Sequence, residues 1–315
     1  MKRIIKILSV NILIIIFLLI LCEGVCFCFA VKFHYDIIGK EAFKHVWGRY
    51  FDTPTYVYYD VPGSHLRPVD GTQYNKKPIF VFGCSVAYGN KLENKENLSG
   101  QLSNLTKRPV YNLANDGWSF AHMLKQLQAN KNIDNLDPEY IIYTYINDQR
   151  RRMYFIQGWP HDTELYLRYV LDKNGNLKQV PKKYHFWYRF LTVKYIQYQI
   201  QKYKIDTYEK SSYLMLKMFE ESTNIIKKKY PNAKLILLLY DNHDCQPGER
   251  KIYGNDNYFN EKEYKSLENM GFKIYNIEEL IGKILCTSEY KIDNNHPNKR
   301  MWEEFLPIFI KELNM

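Results

Sequence analysis

Hydrophobic and polar positions divide the chain into two regimes. Ile7 to Cys22 carries no charge, Glu23 and Gly24 interrupt it, and Val25 to Val31 is apolar again. Together these exceed the roughly 20 residues that a helix needs to cross a bilayer. Further on, short apolar blocks alternate with helix-spaced ones. Ile79 to Phe82, bounded by Pro78 and Gly83, reads as a strand buried on both faces. Leu98 to Leu105 is helical, Val110 to Leu113 a short strand, Phe120 to Gln128 a helix and Tyr140 to Tyr145 a strong strand. Tyr213 to Tyr230 is a long amphipathic helix that stops before Pro231, and Leu235 to Leu239 is another buried strand. Glu261 to Met270 is a helix, Lys273 to Asn276 a strand, and Met301 to Leu313 a closing helix interrupted at Pro307. This alternation predicts an α/β sandwich, a parallel sheet with helices on both faces.

One stretch, about 150–212, breaks the alternation. It holds Trp159, Tyr166, Tyr169, Phe186, Trp187, Tyr188 and Tyr195, with a hairpin expected around Asp172 to Asn176. It reads as an insertion over the carboxyl edge of the sheet. Its aromatics either stack on a sugar, cover an acyl chain, or pack a lid with no ligand role. The organisation expected is therefore an N-terminal anchor or signal segment over 1–31, a lead-in over 32–76 and the main domain over 77–315. Lys2, Arg3 and Lys6 precede the apolar run, which predicts a cytoplasmic amino end and a domain exported to the periplasmic or extracellular face. Cleavage after Ala30 is the rival reading, and Leu19 to Cys22 is a poor lipidation box.

Composition changes this picture little. A hydrophobic fraction of 46% with 25% charge over 315 residues suits one large folded domain and excludes wholesale disorder. The net charge of +10 would attract anionic polymers or lipid headgroups. It does not establish a nucleic-acid partner, and none is expected; Lys227 to Lys229 sit at a helix end, where cations suit the dipole. The 28 tyrosines fit either sugar-binding surfaces or a bias of composition. Cys22, Cys26 and Cys28 fall in the first segment, and Cys84, Cys245 and Cys286 have no Cys-x-x-Cys spacing. No metal and no cofactor are expected, although Cys245 could pair with Cys286 in an exported domain. Asn97-Leu98-Ser99 and Asn104-Leu105-Thr106 match glycosylation sequons, a triplet that arises often by chance.

The candidate chemistry gathers where strands end. Gly83 and Gly89 bracket a tight turn that presents Ser85 at the carboxyl end of its strand. A serine needs a base for its proton and donors for the developing oxyanion. In Asp293-Asn294-Asn295-His296 an imidazole and a carboxylate three residues apart can fold over one turn. His296 would accept the serine proton while Asp293 fixes its tautomer. In isolation the same residues read as a helix cap with an exposed histidine. Gly117 and Asn147 each follow a strand, on the edge where open α/β sheets bind ligands. Cys84 is a rival nucleophile, though neighbours on an extended turn point apart, and His243 in Tyr240 to Asp244 is a rival base. Arg150, Arg151 and Arg152 either bind an anionic substrate at the rim or are simply solvated.

These blocks resemble the SGNH hydrolases, also called the GDSL-like esterase and lipase superfamily. Gly83-Cys84-Ser85-Val86 with Gly89 is similar to the first block, Asn112 with Gly117 to the second, Asn147-Asp148 to the third and Asp293-x-x-His296 to the last. The resemblance spans Lys77 to the C-terminus apart from the insertion. It implies a flavodoxin-like fold, Ser85 as nucleophile, Asp293 and His296 completing the triad, and an oxyanion hole of Ser85, Gly117 and Asn147. Cys84 replaces the usual aspartate, as in anchored bacterial members, and Tyr145 stands where the third block usually has glycine. The implied function is a membrane-anchored esterase removing acyl groups, acetyl foremost, from a carbohydrate or related polymer. An O-acyltransferase on a surface polysaccharide, or a non-catalytic polysaccharide-binding or assembly protein, fits the same residues.

Overall fold

A computed structural model describes residues 2–38, 75–146, 148–152, 167, 169–180, 190, 192–193, 196, 208–240, 259–282, 287–293 and 296–315. The chain divides into two compact units. One contains α1 (Lys2–Ile38), and the other contains every strand named below.

Helix α1 runs unbroken through Glu23 and Gly24. A single glycine costs a helix about 1 kcal/mol, too little to break one so long. Over Ser9–Phe29 the helix is apolar enough to cross a membrane, and none of that window is buried within the molecule. The Glu23 carboxylate accepts a hydrogen bond from the Thr192 N–H at 2.9 Å.

In the second unit the strands are β1 (Ile79–Phe82), β2 (Val110–Asn112), β3 (Tyr140–Tyr145), β6 (Lys234–Leu239) and β7 (Phe272–Asn276). They pair in parallel in the order β2-β1-β3-β6-β7. Counted by the strands of this sheet alone, that is 2-1-3-4-5, the flavodoxin-like order. Strands β4 (Tyr169–Leu171) and β5 (Leu177–Gln179) form the expected hairpin. Its Asp172 carboxylate accepts from the N–H groups of Asn174 and Asn176 at 2.8 and 2.9 Å. The hairpin docks on α4 (Phe120–Ala129) through Tyr169 Oη to Gln128 and Lys125 Nζ to Gln179, both 2.9 Å. Trp159, Tyr166, Phe186, Trp187, Tyr188 and Tyr195 lie outside the described residues, as does most of the 32–76 lead-in.

Alternate residues of each strand face opposite layers. Ile79, Val81, Ile142, Ile236 and Leu238 belong to one core with α3 (Leu98–Thr106), α8 (Ile277–Ile281) and α9 (Lys299–Leu313). Phe80, Tyr143 and Tyr145 face the other layer, which is aromatic. Phe80 packs edge-on against Tyr230 at 5.6 Å, and Tyr143 against Phe219 at 5.6 Å. Those partners come from α6 (Tyr208–Lys229) and the residue that ends it. Several of the abundant tyrosines, among them 140, 143, 145, 230 and 240, are thus core residues.

Helix α9 corrects one expectation, since it continues through Pro307. Pro307 lies on the exposed face, where water can satisfy the carbonyl it leaves unpaired, while buried Trp302, Phe305, Leu306 and Phe309 hold the helix to the core. Asn97 is likewise buried, capping α3 by accepting from the Gly100 N–H at 2.9 Å, so its sequon is not available to a glycan.

Candidate active site

Strand β1 lies between β2 and β3, where the direction of sheet extension reverses, and the crevice at its carboxyl end is where this fold class binds ligands. Ser85 sits there. Gly83 adopts φ 150°, Cys84 is extended, and Ser85 opens the single turn α2 (Ser85–Tyr88), which ends on Gly89 in the left-handed region. A Cβ on Gly83 would stand 2.9 Å from Ala87 Cβ and 3.0 Å from the Thr144 carbonyl oxygen. Gly83→Ala should therefore destabilise the fold by roughly 1–3 kcal/mol, through strain at a positive φ and the clash with β3. Denaturant titration of the tryptophan emission checks this, and an unchanged midpoint would contradict it.

Asn112, buried at the end of β2, fastens the serine turn to the sheet. Its amide donates to the Ala87 and Tyr88 carbonyls at 3.3 and 3.4 Å and its oxygen accepts from the Ala114 N–H at 3.2 Å. Gly117 follows at φ 70° in a turn closed by Trp118 N–H to the Asn115 carbonyl, 3.3 Å. Among the described residues the Gly117 N–H makes no hydrogen bond, which suits a donor for an incoming oxyanion.

Asp293 and His296 are brought together. The His296 N–H donates to Asp293 Oδ1 at 2.8 Å, and His296 Nδ1 lies 3.0 and 2.9 Å from the two carboxylate oxygens. A carboxylate only accepts, so Nδ1 presents its proton to Asp293, and in the neutral ring this leaves on Nε2 the lone pair that a general base requires. The loop is closed by Ile292 N–H to the His296 carbonyl at 3.0 Å, and by Asn298 N–H to the Tyr290 carbonyl at 2.8 Å. Asn298, not Asp293, caps α9, so the helix-cap reading of Asp293 does not hold. Among the described residues no hydrogen bond joins His296 to Ser85. Catalytic hydrogen bonds are often long in unliganded enzymes and tighten when substrate binds. Lys91, from the serine side, reaches this pair, with its Nζ 2.7 Å from Asp293 Oδ2.

Asn147 lies outside the described residues, and so do His243, Cys245 and Cys286. Gln149 is fully buried, accepts from Tyr143 Oη at 2.7 Å and donates to the Thr144 carbonyl at 3.1 Å. Burial raises the Tyr143 phenol well above its usual pKa, which keeps it a neutral donor to Gln149. Tyr145, in place of the usual glycine, points into the aromatic layer 4.7 Å from the Phe259 ring. Cys84 is fully buried in the core and unavailable as a nucleophile.

Two of the three arginines after β3 differ from both readings of the sequence. Arg150 is buried and ion-paired with buried Glu263 at 3.0 Å, and buried Arg152 donates to the Trp118 carbonyl at 3.2 Å. Arg152 thus braces the turn that carries Gly117. The Arg151 side chain lies outside the described residues. The sequence did hold a sign of Glu263, since Asn260-x-x-Glu263 is a capping-box pattern, and both its bonds form at 2.9 Å. Nothing in the sequence points to Lys91 or Arg152.

No family model and no curated protein matches the chain. Solved structures do. A structure of TesA is 12% identical, over 75% of this chain and 99% of that one, with a TM-score of 0.44. A member of the lipolytic protein G-D-S-L family from Veillonella parvula is 11% identical over 76% and 99%, with a TM-score of 0.47. The acetyl xylan esterase Est2A from the rumen bacterium Butyrivibrio proteoclasticus is 12% identical over 78% and 64%, with a TM-score of 0.43. At such identities and superpositions these likenesses decide nothing about chemistry, which rests on the residues.

Proposed function

We propose that the chain is a membrane-anchored serine ester hydrolase of the SGNH type, exported beyond its N-terminal helix, that removes acyl groups from a carbohydrate or related polymer. The observation that carries this reading is the Asp293–His296 pair, in which Nδ1 faces the carboxylate and Nε2 is left to serve as the base. Ser85 Oγ attacks the ester carbonyl carbon as Nε2 takes the hydroxyl proton, and His296 then gives that proton to the departing sugar alkoxide. Water, deprotonated by the same nitrogen, attacks the acyl-Ser85 carbonyl and restores the serine. The N–H groups of Ser85 and Gly117 and the amide of Asn147 hold the oxyanion in both steps. Asn147→Ala should accordingly cost about 10²–10³ in kcat, measured on a simple aryl acetate, with circular dichroism unchanged. A kcat within twofold of wild type would remove Asn147 from the hole. The polymer substrate is inferred from the anchor, with its basic amino flank, and from the aromatics of 150–212.

Spheroplasts that make the full chain test the whole reading. An acetylated polysaccharide added outside cannot cross the membrane, so acetate release that disappears with Ser85→Ala supports the exported esterase. Release only after detergent lysis would overturn the topology, and no release in either preparation would overturn the polymer esterase reading.

A further inference from the structure

Lys91 lies six residues beyond Ser85 and adopts φ 63°, a left-handed conformation that is unfavourable for a residue with a Cβ. No sequence motif asks for a lysine there. Its Nζ reaches across 202 residues of chain to Asp293 Oδ2, the same oxygen that stands 2.9 Å from His296 Nδ1. One carboxylate therefore receives an ammonium, an imidazole N–H and a backbone N–H.

We propose that Lys91 is a positioning residue that sets the basicity of His296 through Asp293, keeping the imidazole neutral to lower pH than the Asp293–His296 pair alone would. The inference rests on the proposed role of that pair. An ammonium on Oδ2 draws off part of the charge that would otherwise stabilise an imidazolium, and it also repels that imidazolium directly. Both effects act in one direction. Other charged groups stand on the same elements. Glu93 pairs with Lys95 at 3.1 Å, Lys299 with Glu303 at 3.4 Å, and Arg300 with Glu289 and Glu304 at 2.6 and 2.9 Å. Lys291 stands on the loop itself, bridged through its backbone to Pro297.

The sign follows from the charges. Removing the ammonium makes protonation of His296 easier, so its midpoint rises and the acid limb of kcat/KM moves to higher pH. The Lys91 side chain is 60% exposed and the pair is partly screened, so the effect is modest. A rise of about 0.5–1 pH unit is expected, equivalent to roughly a three- to tenfold loss of kcat/KM below the limb and none above it.

The test is a histidine NMR titration of the full chain in detergent micelles. Histidine is 13C-labelled, and the His296 signal is assigned by its disappearance in His296→Gln. Lys91→Met should raise the His296 midpoint, and Lys91→Arg should leave it near wild type. Lys91→Gly removes the ammonium while relieving the positive φ, so it keeps the fold secure and should behave like Lys91→Met. Salt at about 1 M, where the screening length is about 3 Å, should move wild type toward Lys91→Met and leave that variant in place. A His296 midpoint equal in wild type, Lys91→Met and Lys91→Gly overturns the proposal even if Ser85 and His296 prove essential to turnover. A raised midpoint with turnover indifferent to Ser85→Ala upholds the coupling and overturns the esterase reading instead.

Discussion

Ser85→Ala and His296→Ala should each abolish nearly as much ester turnover as the double substitution, a loss on the order of 10⁵–10⁶ in kcat. The reason is the division of labour at the site. A serine hydroxyl is almost wholly protonated at neutral pH and reacts only as its proton passes to a base, and a base with no nucleophile to serve has nothing to accelerate. The measurement is turnover of an aryl acetate by the full chain in detergent, with circular dichroism confirming each fold. Losses that add on a logarithmic scale would mean that Ser85 and His296 act independently and would dissolve the proposed unit.

Asp293→Asn should cost about 10⁴ in kcat without unfolding the protein. The geometry gives the route. The His296 backbone N–H donates to Oδ1, so an amide in this place keeps its oxygen there and turns its NH2 toward His296 Nδ1 and Lys91. Nδ1 then has to accept, the proton moves to Nε2, and the base loses the lone pair that would take the serine proton. The amide also sets its NH2 against the Lys91 ammonium. A loss smaller than tenfold in a folded Asp293→Asn protein would show that the carboxylate does not set the tautomer.

What was legible in the sequence was local. Strand β1 announced itself by four apolar residues between a proline and a glycine, and it forms over the same residues. Asp293-x-x-His296 was legible because the two residues lie within one turn, and the pair forms as its spacing requires. Long-range partners left no trace. Three adjacent arginines look like a solvated or anion-binding run, yet Glu263 and the Trp118 carbonyl, both distant in sequence, draw Arg150 and Arg152 inside. Pro307 misled for a related reason, since helix-breaking propensity is outweighed when the opposite face is anchored by Trp302, Phe305 and Phe309. Tyr145 in place of glycine cast doubt on the third block, but its ring occupies space in the aromatic layer.

The central claim is that Ser85 is the nucleophile, activated by His296. Its most direct test is to treat the full chain in detergent with a fluorophosphonate, which phosphonylates only activated hydroxyls, and to locate the adduct by peptide mass spectrometry. A single adduct on Ser85, absent from Ser85→Ala and formed far more slowly in His296→Ala, is the predicted result. An adduct on another residue, or none on a folded wild-type chain, would contradict it.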